Sequence, residues 1–511
     1  MKRQIVNIVN FIRAVEPRMP VDMIRPVREQ IALMKRHDLR GTFLLQYDAL
    51  IEPEFVNLLK ALDPAQFEIG VWFEVVQPLV EKAGIEWTGR FPWDWHVHCG
   101  FPLGYTKEQR EKLIDILYED FRAVFGYYPK VFGSWIFDSH TARYICDRYG
   151  ADAMCNCKEQ FGTDGYTLWG GYYGQGYYPS RANVFMPAQT ADSQLSAPLF
   201  RMLGSDQVYQ FDFGMDPETG ADVCQKVITL EPVYCGEGGG GDPAWVDWYL
   251  KENFNGECLS FGYTQAGQEN SFGWPAMAAG LEDQFAKFAA LQTEGKLTVE
   301  PLGDTGRWFR RQYPVTPASA ITAHSAYDDP GKNSVWYSSR FYRANLYADA
   351  SGLRLRDLHL FSENLTDPYE DRVCTGNEAA YETLPVADGN RHSGGGVVGG
   401  LVPLDAGGNP IAIGEMSFAD LGKDSARVDY GAISVLLTEC GMVFRGPDGF
   451  RLESRIAPNA QHVPQIAGMT EKKLTLRYAG VEYAVRLEKG RFADAQTILS
   501  ENGEITAIFT A

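Results

Sequence analysis

Apolar and polar positions follow two different rhythms along this chain, and the rhythm changes near residue 315. Before that point, short apolar runs alternate with segments whose apolar residues recur three and four apart. Residues 5–12 predict a strand. Residues 21–37 predict a helix with Met23, Ile24, Val27, Ile31 and Leu33 on its buried face. Residues 41–46 predict a second strand, 54–62 a helix, and 67–73 a third strand that ends at Glu74. Thr106 and Gln109 form a capping-box pattern, and Leu113, Ile114, Leu117, Phe121 and Val124 make the stripe of the helix behind it. Residues 131–137 predict a fourth strand with a helix after it. Residues 151–156 predict a fifth, and 258–263 a late strand backed by a helix over 275–293. Repeated βα units of this kind predict a parallel sheet or barrel.

Between Gln160 and Ala244 the periodicity fails and Gly, Tyr and Pro dominate, as in the aromatic run 169–178. Long irregular segments on a barrel predict functional loops, with a surface insertion as the alternative. After residue 315 the segments are short, alternating and punctuated by Gly, Asp and Asn, which predicts an antiparallel β-sandwich. The expected fold class is therefore α/β: a barrel over residues 1–315 carrying the site, and an accessory sandwich over 316–511. The Gly-rich run 394–400 lacks the strand–helix setting and the lysine of a phosphate cradle.

The length of 511 residues fits two or three domains. A net charge of −19 without a basic patch argues against nucleic acid and anionic membrane surfaces. No run reaches the roughly 18 apolar residues of a membrane span. The N-terminal segment alternates like a strand rather than a leader. Nine cysteines lack metal-ligand spacing; Cys155-Asn156-Cys157 is too tight for a zinc pair. Reduced thiols fit a cytoplasmic protein, or a periplasmic one if a leader has been removed. Nothing in the sequence indicates an oligomeric state.

Ten of the eleven tryptophans precede residue 310, several beside acids at apparent strand ends. Exposed rings stack on the C–H faces of sugars, and paired carboxyl groups cleave glycosidic bonds. The expected partner is an oligosaccharide or polysaccharide. Asp138, Glu269 and Glu74 are the catalytic candidates; the alternative for Asp138 is a helix N-cap, since Asp138-Ser139 precedes a helix. Trp72, Trp93, Trp95, Trp135, Trp169, Tyr172 and Trp274 are candidate sugar-stacking or cleft-lining rings. His96, His98, His140, Glu159, Asp164 and Gln265 are candidate polar contacts. His96-Val97-His98, read as a strand, also admits a zinc site completed by His140 and Asp138.

Three segments carry a resemblance. Gly41-Thr42-Phe43-Leu44-Leu45, Phe67-Glu68-Ile69-Gly70 and Gly133-Ser134-Trp135-Ile136-Phe137-Asp138 resemble the NodB-like (β/α)7 superfamily of polysaccharide deacetylases and family-57 glycoside hydrolases. The resemblance spans the first ~310 residues and implies a carbohydrate hydrolase, with Asp138 at the position of the family-57 nucleophile. The chain departs from the metal-dependent deacetylases. Arg13 and Glu16 stand where their paired aspartates lie, and Trp72-Phe73-Glu74 where their His-x-x-x-His lies. No metal or other cofactor is therefore expected. A glycoside hydrolase is the first reading. A metal-dependent amide or ester hydrolase and a non-catalytic glycan-binding barrel are the alternatives.

Overall fold

The computed structural model describes residues 2–213, 225–236 and 238–509. Seven parallel strands follow one another across one curled sheet: β1 (Gln4–Ile12), β2 (Gly41–Leu45), β3 (Phe67–Trp72), β4 (Val131–Gly133), β5 (Ala153–Asn156), β6 (Leu199–Arg201) and β7 (Gly262–Ala266). Their order is β7-β1-β2-β3-β4-β5-β6, so chain order is spatial order until β7 returns beside β1. The sheet curls into a half-barrel. β6 and β7 form no ladder, but the Gly204 N–H donates to the Gln265 carbonyl at 3.1 Å and draws the two edges together.

The strands are apolar on both faces, as parallel strands covered by helices must be. Ile5, Val9 and Phe11 of β1 join Leu44, Trp72 and Val131 inside the curl, while Val6, Ile8 and Ile12 meet the helices outside. Those helices include α1 (Ile24–Arg36), α2 (Pro53–Lys60), α3 (Lys107–Phe125), α4 (Ser139–Tyr149), α5 (Pro243–Asn253) and α6 (Trp274–Thr293), whereas α7 (Leu302–Gln312) packs Leu302 and Phe309 into the inner cluster. The capping box of α3 forms: Gln109 N–H donates to Thr106 Oγ1 at 3.3 Å, and Thr106 N–H to Gln109 Oε1 at 2.9 Å. The helix stops at Gly126, whose φ of 86° suits a residue without a side chain.

Two strands differ from their expected bounds. The fourth ends at Gly133 rather than residue 137, because the chain turns there and Asp138 caps α4. The late strand lies over Gly262–Ala266 rather than 258–263, since its ladder to β1 starts with Gly262 opposite Gln4. The aperiodic stretch is not an open loop. Gln160–Thr163 and Tyr166–Trp169 form a hairpin, and Ala379–Glu382, from far along the chain, pairs parallel to Tyr166–Trp169. Residues 214–224, within the same stretch, and 237 lie outside the described residues.

After α7 the chain enters Ser319–Ala323, the first strand of a nine-stranded sheet that is antiparallel throughout; an eight-stranded antiparallel sheet begins at Ile413–Gly422. Leu355, Leu452 and Ile498 of the first sheet face Phe444, Val485 and Ile505 of the second. The architecture is a (β/α)7 half-barrel followed by a β-sandwich. No described helix is long and apolar enough to cross a membrane.

Candidate active site

The carboxyl ends of the parallel strands open into a cleft of about 450 Å³. In sheets of this kind the strand ends carry the chemistry, because the loops that follow them converge there. Arg13 follows β1 directly, Glu74 lies just past β3, Trp135 past β4, Lys158 past β5 and Glu269 past β7.

Arg13 sits among the acids. Its Nη2 bonds Glu269 Oε2, its Nε is 3.4 Å from Glu74 Oε2, and its Nη1 is 3.7 Å from Glu16 Oε2. The guanidinium lies 4.0 Å from the centre of the Trp93 ring. Arg13, Glu74 and Glu269 are all buried. Glu269 also accepts from Ser271 Oγ at 2.5 Å. Glu74 accepts from Gln46 Nε2 at 2.6 Å and from Trp93 Nε1 at 3.1 Å. Burial pushes the Glu74 carboxyl up to about 7; Arg13 opposes that shift and the Glu269 charge adds to it.

A second polar group lines the same cleft. Lys158 Nζ donates to Gln160 Oε1 at 3.1 Å. Glu231 accepts from Thr229 Oγ1 at 2.9 Å, and burial raises its carboxyl against the pull of Lys158. Asp164 lies beside them in the left-handed backbone region, with φ 58°. Trp95, Trp135, Tyr166, Tyr234 and Phe272 supply aromatic surface. The arrangement places two carboxyl groups on one guanidinium, one of them protonated near neutrality, in an aromatic cleft. That is the equipment for general acid and carboxylate chemistry.

Six of the residues singled out in the sequence meet here: Glu74, Glu269, Trp93, Trp95, Trp135 and Asp164. The others lie elsewhere. Asp138 is fully buried, accepts from Thr141 N–H at 2.9 Å as the N-cap of α4, and pairs with Arg110 at 2.8 Å, so its carboxylate faces no cleft. Trp72 is inside the curl, stacked on Phe11 at 4.2 Å. Trp169 is buried and donates to Asp388 Oδ2 at 2.7 Å; Tyr172 is buried and donates to the Pro317 carbonyl at 2.7 Å. Both belong to the junction with the second sheet system rather than to a sugar wall. Glu159 is consumed by Arg343 and Arg201. Gln265 is buried within the curl. Trp274 opens α6 and packs half-buried on the core.

The histidines do not assemble. His96 precedes a helical turn, Val97–Gly100, not a strand, and its ring centre is 5.9 Å from that of His98. His140 is 3.0 Å from Glu111 on α3. Among the described residues no three His, Cys, Asp or Glu side chains gather as a metal site requires. The acids of the cleft do not suit a metal ion here, because buried Arg13 already sets a positive charge between Glu74 and Glu269. The sequence reading missed Lys158 and Glu231 as cleft residues, and took Arg13 only as a departure from a motif.

No protein-family description matches the chain, and no curated protein is similar to it in sequence. Solved structures are. A Parabacteroides distasonis protein, named provisionally as a glycoside hydrolase/deacetylase, aligns over 75% of this chain and 91% of its own, with 14% identity and a TM-score of 0.55. A Mycobacterium smegmatis protein, named provisionally as a polysaccharide deacetylase, aligns over 61% and 91%, with 15% identity and a TM-score of 0.37. A GH57 branching enzyme from Thermococcus kodakaraensis aligns over 61% and 72%, with 10% identity and a TM-score of 0.33. At these identities the likeness is one of fold alone, and the Parabacteroides distasonis structure carries it.

Proposed function

We propose that this protein is a carbohydrate-active hydrolase that cleaves glycosidic bonds with Glu74 and Glu269. The observation that carries the reading is the convergence of these two carboxyl groups on Arg13 at the strand ends, within an aromatic cleft. Glu74, held protonated to about 7 by burial, donates its proton to the departing sugar oxygen. Glu269, an acceptor of hydrogen bonds from Arg13 and Ser271, serves as the carboxylate that attacks the anomeric carbon or activates water. Trp95, Trp135 and Phe272 stack on sugar faces and hold the bond between the two acids. The names of the structural neighbours, glycoside hydrolase and polysaccharide deacetylase, support a carbohydrate substrate. Metal-dependent deacetylation is not supported, because Arg13 and Glu16 stand in place of the ligands it needs.

A second reading is a glycan-binding barrel without hydrolysis. The direct Arg13–Glu269 ion pair favours it, since a carboxylate tied to a guanidinium is a weaker nucleophile. One experiment separates the two. Purified protein is incubated with neutral oligosaccharides and polysaccharides, while new reducing ends and tryptophan quenching are followed. Cleavage supports the hydrolase, and quenching without cleavage the binding barrel. Neither, with folded protein, overturns both.

A further inference from the structure

The two sheets of the sandwich do not end together. Gln465–Thr470 is the free edge of the eight-stranded sheet, and five of its six residues are exposed. An edge this open favours polar side chains. Ile466 and Met469 are instead apolar, and 58% and 46% exposed. They pair with Leu476 and Leu474, and the register shifts between Ile466 and Gly468. That irregularity turns both side chains to the face carrying the two buried leucines. A bulge thus keeps an apolar lip aimed inward where no described residue covers it.

Behind the lip, between the sheets, lies a cavity of about 610 Å³. Leu355 and Leu452 wall it from one sheet, Phe444 and Val485 from the other, and Val463 and Ile466 stand at its mouth. Among the described residues its only polar side chains are Ser454, Asp494 and Gln496. Protein interiors do not leave such space, whereas small-molecule sites of roughly 300–1,000 Å³ do. The lining decides the ligand class. Water and sugars would find almost no hydrogen-bond partners, and apolar cavities take apolar molecules instead. A fatty acid anion would meet Asp494 and no cation. We propose that this cavity binds an uncharged aliphatic chain that enters past Val463 and Ile466, at a site apart from the barrel cleft.

The test uses the full chain and N-phenyl-1-naphthylamine, a neutral apolar fluorophore, with 1-monomyristoylglycerol and myristate as competitors. The expected result is saturable binding of one probe per chain. The glyceride displaces it about ten-fold more effectively than myristate. Val463→Asp and Ile466→Asp, both at exposed positions, leave the melting temperature unchanged and weaken probe binding about ten-fold, because they put a charge at an apolar mouth. Sedimentation with phosphatidylcholine vesicles identifies the source of the chain. Sedimentation that the two variants abolish means a membrane lipid; glyceride uptake without sedimentation means a free one. Absence of saturable binding by folded protein overturns the proposal, as does binding that neither variant weakens. Light scattering covers the remaining occupant: a dimer that Ile466→Asp splits, with no probe bound to either form, would show that the edge strand joins two copies and would also overturn it.

Discussion

Arg13 holds its Nε 3.4 Å from the Glu74 carboxylate, yet Glu74 keeps its proton up to about 7. Burial outweighs the cation, and that imbalance sets a pH dependence. The Glu74 carboxyl is 4.5 in its ordinary state and about 7 in the fold. Between those values the folded chain retains a proton that the unfolded chain has lost. Stability from this group is therefore complete below pH 4.5 and falls as pH rises through about 7. Asp48, raised to about 6 by burial, and Asp367, raised to about 7 by burial and by Asp138, act in the same direction. Urea denaturation from pH 4.5 to 8 should show the decline, and Glu74→Gln should make it shallower.

Replacing Arg13 by Met should move the chemistry and the stability together. Without the guanidinium, Glu74 loses the interaction that lowers its carboxyl, so the alkaline limb of the rate profile shifts to higher pH. Breaking a buried ion pair leaves acids uncompensated, at a cost of about 3–5 kcal/mol. A rate profile and a denaturation curve on the same preparation check both.

Asp138 offers the opposite signature. Its carboxylate caps α4 and pairs with buried Arg110. Asp138→Ala should lose about 1 kcal/mol for the cap. It should lose more for the stranded arginine, up to about 3–5 kcal/mol. Turnover per folded molecule should hardly change. A loss of turnover at unchanged stability would return Asp138 to the catalytic machinery.

Two tryptophans should respond in contrasting ways. Trp169 is buried beside Asp388, so Trp169→Ala should destabilise by about 3–5 kcal/mol. Trp95 lines the cleft, so Trp95→Ala should weaken glycan binding by about 0.5–1.5 kcal/mol beyond lost area and leave melting nearly unchanged. Calorimetry and fluorescence quenching on both variants make the comparison.

What could be seen in the sequence follows from the range of each interaction. The barrel strands and the α3 cap depend on neighbours a few residues away, and their pattern is local. Glu74 was visible because it follows an apolar run, and Glu269 because it is the sole carboxylate of the segment 262–274. Asp138 also follows an apolar run, but the partner that fixes its role, Arg110, lies on a different helix. The aromatic run 169–178 looked like a loop because its partners are distant: Tyr173 stacks on Trp336 at 3.7 Å, and Trp169 bonds Asp388. Lys158 and Glu231 left no signal, since Glu231 lies in a stretch without periodicity. The deviation of β4 has the same origin; a cap inside an apolar run reads as more strand.

The account rests on Glu74 and Glu269 acting on one sugar bond, and the hydrolysis rates of Glu74→Gln and Glu269→Gln test it most directly. Rates are measured on a glycan the parent protein cleaves, or on activated aryl glycosides. Each variant should fold, bind the glycan and lose about 10²–10⁴-fold in rate. Glu269→Gln should lose rate with natural and activated substrates alike. Glu74→Gln should be rescued in part by a good leaving group, which needs no proton. Parent-like rates in both variants, with the parent enzyme active on the same glycan, would contradict the account.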